Sequence, residues 1–370
     1  MGPTKAFINH NHLRHNIQLV RDVVGTRKIM AVVKANAYGH GDVEVSKTAI
    51  EAGCEYLGVA FIEEGIKLRK AGIIDPILVF GAQLPEYLSA TIDYNLELTI
   101  TSHLQLAHLE KTIGKKNKKI PIHLKVDTGM NRVGFIYDRF TDDFTQILNN
   151  RAVEIKGVYS HLSTADEEVQ EYFDLQLSRF NEIVNYVKSK VNDDIQYHLA
   201  NSAAIIDFPQ AYFDLVRPGI MLYGHPPSPQ FKYNWNLKEV MTLCSKIGLI
   251  KFVKKNEPIS YGRRFYTKED TFIAVVPAGY ADGINRRSSN NMNVLIKGRE
   301  FPVVGTVCMD MIMINLGKNH NCAVGDEVII FGKSGKKNIS VTEVSEKLLT
   351  IPYEITCNVS PRVPREHLYY

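Results

Sequence analysis

Ile29-Met-Ala-Val-Val-Lys-Ala-Asn-Ala-Tyr-Gly-His-Gly41 is an apolar run of strand length that ends on a lysine and empties into a loop bearing two glycines. An amine at the mouth of a buried strand is desolvated enough to lose its proton and attack a carbonyl, whereas a lone lysine there would simply reach to solvent. Lys34 has company, because Tyr38 follows four residues on and other polar clusters occur at comparable strand ends. Outward from this stretch, short apolar runs recur at Tyr56–Ala60, Ile77–Phe80, Glu97–Ile100, Ile120–Val126, Glu154–Ser160, Gln196–Ala200 and Phe213–Val216. Between most of them lie segments with apolar residues at three- and four-residue spacing, among them Val43–Ala52, Glu63–Ala71, Leu104–Ile113 and Glu168–Lys188. About eight strand–helix units in roughly 220 residues predict an α/β fold of the (β/α)8 TIM-barrel type. A doubly wound sheet is the alternative, but no G-x-G-x-x-G follows the first strand.

The texture changes after Trp235. Met241–Val253, Phe272–Val276, Val294–Lys297, Phe301–Val304, Met311–Asn315 and Glu327–Phe331 read as strands parted by Gly, Pro, Asn and Asp. One helix is expected at Val341–Leu349, with Ser340 as its N-cap and Glu343 at the reciprocal capping position. The chain is therefore expected to divide into a barrel over residues 1–235 and a mostly β domain over 236–370, with the proline-rich Gly224–Pro229 as linker.

Composition narrows the function. With 370 residues, 45% apolar and 23% charged, the chain suits a two-domain globular enzyme. A net charge of +4 spread along the sequence argues against nucleic acid, and the basic run Lys115–Lys119 has no interleaved aromatics. No apolar stretch approaches a membrane span. The five cysteines form no C-x-x-C pair, so no metal site is expected and the location is expected to be cytoplasmic.

Barrel active sites gather at the carboxyl ends of the strands. Beyond Lys34, those ends carry Asp127-Thr-Gly-Met-Asn-Arg-Val-Gly134, Ser160-His161, Asn201-Ser-Ala-Ala204 and Arg217-Pro-Gly-Ile220. Ser202 with the backbone N–H groups of Gly219 and Ile220 can hold a phosphate, or Ser202 can merely cap a helix. His161 can stack on a flat cofactor or sit satisfied in the core. Arg217 can pair with an acid or hydrogen-bond a pyridine nitrogen.

These residues resemble the alanine racemase family along almost the whole chain. The matching motifs are Ala31–Gly41, Lys125–Arg132, Ser160-His161, Ala200–Ala204 and Val216–Gly224, then Ile259–Gly262, Gly279–Gly283, Val304–Asp310 and Pro352–Cys357. The resemblance implies a pyridoxal 5′-phosphate enzyme, a head-to-tail homodimer that interconverts L- and D-alanine and supplies D-alanine for peptidoglycan. By the same resemblance Lys34 would carry the cofactor and act as base for the D-enantiomer, and Tyr261 of the partner subunit would serve the L-enantiomer. Tyr38, Ser202, Gly219, Ile220 and Tyr353 would hold the phosphate, His161 would flank the ring, and Arg217 would face its nitrogen. Arg132 and the Met309 backbone would bind the substrate carboxylate, and Asp166, Tyr280 and Arg286 would line a polar entry channel. Lys125 would be open to carbamylation. Thr306 departs from the family, many of whose members carry an arginine there near the entrance.

Racemisation removes a proton from one face of Cα and delivers one to the other, so two bases must flank the carbon. A lysine and a tyrosine on different domains can do that. The alternatives are a racemase accepting serine or other small amino acids and a basic amino-acid decarboxylase of the related fold. The decarboxylase would need a substrate-binding acid and a catalytic cysteine.

Overall fold

A computed structural model describes residues 2–113, 119–191, 194–228 and 235–369. Most of the basic run, Lys115–Lys118, and Pro229 of the expected linker lie outside the described residues.

Ten strands occupy the first part of the chain: β1 (Lys5–Asn9), β2 (Lys28–Val32), β3 (Tyr56–Val59), β4 (Ile77–Val79), β5 (Glu97–Ile100), β6 (Ile120–Asp127), β7 (Phe135–Ile136), β8 (Val153–Tyr159), β9 (Gln196–His198) and β10 (Leu215–Val216). Eight of them pair in the order β10-β2-β3-β4-β5-β6-β8-β9, all parallel, with β7 added beside β6. Hydrogen bonds from Asp214 N to Tyr197 O (3.0 Å) and from Arg217 N to Ala200 O (3.0 Å) draw the two ends of the sheet together. The expected TIM-type barrel is present. Its strands are buried on both faces, which is why they read as apolar runs rather than alternating ones. Met30, Tyr56, Leu78 and Leu215, from four strands, pack together as a cluster of their own. The larger core lies between strands and helices, for example Leu13, Ile17 and Val20 from the helix His10–Val24.

The second part is mostly β, as expected. One sheet orders Arg299–Pro302, Asn293–Ile296, Glu327–Ser334, Met241–Lys246, β1 and Arg365–Leu368; a second holds Leu249–Val253, Thr271–Val276 and Ile312–Gly317. Two details differ from the sequence reading. Residues 1–235 do not all belong with the barrel, because β1 pairs antiparallel with Met241–Lys246 and parallel with Arg365–Leu368. Nothing local to Lys5–Asn9 marks partners more than two hundred residues away. At the helix Val341–Leu348, Ser340 Oγ accepts from Glu343 N at 3.0 Å, but the Glu343 carboxylate turns to Lys347 (2.7 Å) instead of closing the reciprocal cap. No helix among the described residues is long and apolar enough to cross a membrane.

Candidate active site

After β2 the backbone does something that costs energy. Ala35, Asn36, Ala37 and Tyr38 all adopt left-handed conformations, with φ of 53°, 54°, 52° and 53°. Each such L-residue costs about 1–2 kcal/mol, so the turn persists only because its surroundings fix it. Glu64 accepts from Ala35 N and Ala60 N (2.7 Å each), and Gly41 N donates to Asn36 O at 2.9 Å. Gly39 lets the helix Pro352–Cys357 close on this turn, since a Cβ there would lie 2.1 Å from Thr356 O. The turn leaves Lys34 at the barrel mouth and buries the Tyr38 ring, 4.9 Å from that of Tyr223 and 5.7 Å from that of Tyr353.

Lys34, Tyr38, Lys125, Arg132, His161, Asp166, Ser202, Arg217, Gly219, Ile220 and Tyr353 all line one cavity of about 430 Å³. Eleven positions spread from residue 34 to residue 353 therefore meet where the barrel strands end. Burial first, and the Arg132 guanidinium second, lower the pKa of the Lys34 amine, favouring the neutral nucleophile. Lys125 is more deeply buried and is held well below the ordinary lysine range by desolvation and then by Arg217. Its Nζ donates to Val126 O at 3.1 Å and lies 5.1 Å from the centre of the Tyr159 ring. Asp127 accepts from the N–H groups of Gly129, Asn131 and Arg132 (2.9, 3.0 and 2.9 Å), which folds the loop carrying Arg132 back over the cavity.

One end of the cavity suits a phosphate. Asn201, not Ser202, caps the helix Ser202–Asp207 by accepting from Ala204 N, so the Ser202 hydroxyl is free of capping. It accepts instead from Gly219 N at 2.9 Å. Gly219 leaves space beside Tyr38, because a Cβ on it would sit 2.6 Å from the phenol oxygen. Hydroxyls of Tyr38, Ser202 and Tyr353 with backbone N–H groups form a donor-rich cradle that fits a phosphate dianion.

The other end suits a flat ring. Arg217, 4% exposed, donates to Ser160 O (2.8 Å), Leu199 O (3.0 Å), His198 Nδ1 (2.9 Å) and His161 Nδ1 (3.3 Å). None of these partners is a carboxylate, so the acid pairing considered for Arg217 does not occur. Burial brings its pKa down to about 10, still cationic at neutral pH. Because arginine only donates, His161 accepts through Nδ1, and burial followed by Arg217 holds its pKa well below the usual histidine range. The sequence reading missed Tyr159, whose ring lies 5.2 Å from the Arg217 guanidinium and stacks on His198 at 4.6 Å and 8°. Period two along β8 points to it, since Gly157, Tyr159 and His161 share one parity.

Four expected site residues do not line this cavity. Tyr261 is 73% exposed, Met309 52% and Tyr280 43%, and Arg286 is exposed as well. They gather on neighbouring loops of the β domain. Tyr280 N donates to Cys308 O and Ala281 N to Met309 O (3.0 Å each), while Ser289 N bonds Arg286 O and Ser289 Oγ accepts from Val307 N. Of the expected channel, Asp166 lines the cavity and Tyr280 and Arg286 do not. Thr306 is buried and donates to Tyr261 O at 2.7 Å, while Ser260 Oγ donates to Thr306 O at 2.7 Å. Instead of setting an entrance charge, it clamps the backbone that presents Tyr261.

A barrel with a lysine at its mouth, a donor-rich cradle and a buried arginine around one cavity fits a pyridoxal-phosphate enzyme with an appended β domain. The alanine racemase N-terminal domain model matches residues 8–227 and the alanine racemase C-terminal domain model residues 240–367. The alanine racemase of Carboxydothermus hydrogenoformans is 41% identical over 367 residues, 99% of each chain. Among solved structures, an alanine racemase of Clostridium difficile superposes with a TM-score of 0.94 at 37% identity, covering 100% of this chain and 96% of that one. The alanine racemase of Bacillus anthracis with bound L-Ala-P gives 0.93 at 35%, covering 100% and 95%. The chain belongs to the alanine racemase family, isomerases that depend on pyridoxal phosphate.

Proposed function

We propose that the chain interconverts L- and D-alanine with two bases on opposite faces of the substrate, Lys34 from its own barrel and Tyr261 from the β domain of a second copy. The reading is carried by the meeting of Lys34, Tyr38, Ser202, Arg217, Gly219 and Tyr353 in one cavity. When bound there, pyridoxal phosphate supplies a conjugated ring that takes up the electron pair left at Cα. Tyr38, Ser202, Gly219, Ile220 and Tyr353 hold its phosphate, and His161 flanks the ring. Arg217 faces the ring nitrogen as a hydrogen-bond donor that does not give up its proton. That keeps the ring a modest electron sink and disfavours side reactions. Lys34, its pKa lowered by burial and then by Arg132, takes or returns the α-proton on the D side, and Tyr261 does so on the L side. Arg132 and the Met309 N–H bind the substrate carboxylate. No acceptor for that N–H occurs among the described residues.

The exposed Tyr261, Tyr280, Arg286 and Met309 supply the other half of the site when two chains pair head to tail, bringing Tyr280 and Arg286 beside Asp166 of the partner's cavity. This makes the homodimer the catalytic unit. We assign the barrel to residues up to 235, apart from β1, and the β domain to 236–370. The work is placed in the cytoplasm, where D-alanine enters peptidoglycan synthesis.

Incubation with L-alanine in deuterated water tests the reaction. Both enantiomers should accumulate with deuterium at Cα. Recovery of L-alanine alone, unexchanged, overturns the proposal. Running the same assay with serine and other small amino acids sets the breadth of the substrate range.

A further inference from the structure

Behind Arg217 the barrel interior holds a file of polar groups, His198, His123 and Glu97, that the reaction scheme above leaves unused. Arg217 donates from one terminal nitrogen to His198 Nδ1 at 2.9 Å. His198 Nε2 lies 2.8 Å from His123 Nδ1, and His123 Nε2 lies 2.9 Å from the Glu97 carboxylate. The two ends fix the direction of the whole chain, since a guanidinium has only donors and an ionised carboxylate only acceptors. His198 must therefore accept at Nδ1 and carry its proton on Nε2. His123 must accept at Nδ1 and donate from Nε2 to Glu97. Any other arrangement of neutral rings sets two lone pairs or two N–H groups against each other.

The packing gives the rings no freedom to escape this order. Both imidazoles are 0% exposed. Tyr159 stacks on His198, and its hydroxyl is held by Thr99 at 2.8 Å. Tyr56 meets His123 edge-on at 6.4 Å, and a Cβ on Gly157 would strike His123 Nδ1 at 2.2 Å, so the β8 backbone closes the remaining side. Glu97 is the first residue of β5, at the end of the barrel opposite the cavity. The file thus runs through the barrel from the ring-nitrogen site to its far floor.

We propose that Glu97 is a positioning residue for this enzyme: acting through His123 and His198, it fixes the orientation and hydrogen-bond polarity of Arg217. The guanidinium then meets the cavity with its remaining N–H groups aimed as donors. This rests on the reading that Arg217 faces the ring nitrogen.

The test uses the full-length holoenzyme labelled with 15N at histidine. Wild type should show His123 and His198 as neutral, Nε2-protonated tautomers. Glu97→Ala removes the last acceptor; it should perturb the His198 signals and the visible cofactor band, and lower kcat roughly tenfold with KM little changed. Glu97→Gln still offers an oxygen acceptor in the same place, so it should restore both tautomers and most of kcat. An Nδ1-protonated ring in wild type overturns the proposal, as does an unchanged His198 in Glu97→Ala or a Gln variant as impaired as the Ala variant. Arg217→Lys separates the two layers: a visible band unaltered by that change overturns the role of Arg217 at the ring, whereas the tautomer pattern judges the file itself.

Discussion

Gly219→Ala should cripple cofactor binding while leaving the fold intact. The residue has φ −117° and ψ −97°, outside the left-handed region, so the added methyl meets no penalty of the positive-φ kind. The penalty is contact. The new Cβ would lie 2.6 Å from the Tyr38 phenol oxygen and 3.3 Å from its ring carbon Cζ, with Val32 Cβ behind at 3.8 Å. Tyr38 cannot swing aside easily, because its ring sits beside Tyr223 and Tyr353 and its backbone is locked in the left-handed turn. Overpacking of this kind costs about 1–3 kcal/mol. Here it falls on the pair of groups assigned to the phosphate, so about 2 kcal/mol should appear as a roughly thirtyfold rise in the apparent Kd for pyridoxal phosphate. Titration of cofactor-free protein, followed by absorbance, measures it. Gly248→Ala is the control, since its Cβ would find only ordinary contact at 3.5 Å from Pro277. A Gly219→Ala protein that binds the cofactor within about twofold of wild type would refute the cradle.

Lys34→Ala should retain no cofactor after borohydride treatment and washing and should lose nearly all racemisation, whereas wild type should keep the label on Lys34; mass mapping of the peptide decides. Lys125 donates to a carbonyl, and burial followed by two arginines lowers its pKa, so carbon dioxide should convert its unprotonated form to a carbamate, releasing a proton and giving an anion that orients Arg132. A 13C signal from labelled bicarbonate that vanishes in Lys125→Ala would support this, and an unmodified lysine with no bicarbonate effect on activity would not. Lys34→Ala and Tyr261→Ala homodimers should each be nearly inactive, while their heterodimers should regain up to about half of wild-type activity, because one of two shared sites is intact. Verified heterodimers without recovery would mean that both bases belong to one chain or that Tyr261 is not the second base.

The sequence by itself determined the barrel and several of the residues at its mouth. Buried parallel strands leave apolar runs and their helices leave a 3.6-residue period, so both are written locally. Lys34, His161, Ser202 and Arg217 each close such a run, and the barrel carries strand ends to one face. The tertiary structure alone decided how these residues relate. It showed Asn201 capping the helix and so releasing Ser202, Thr306 clamping Tyr261 rather than charging an entrance, and Tyr261, Tyr280, Arg286 and Met309 standing apart from the cavity on an exposed face. It also joined β1 to Arg365–Leu368 and threaded Glu97, His123, His198 and Arg217 into one file. Those contacts join residues from 19 to more than 350 positions apart, and none follows from the neighbours of either partner in the chain. Periodicity records which way a side chain faces; the closing of the sheet decides what it meets.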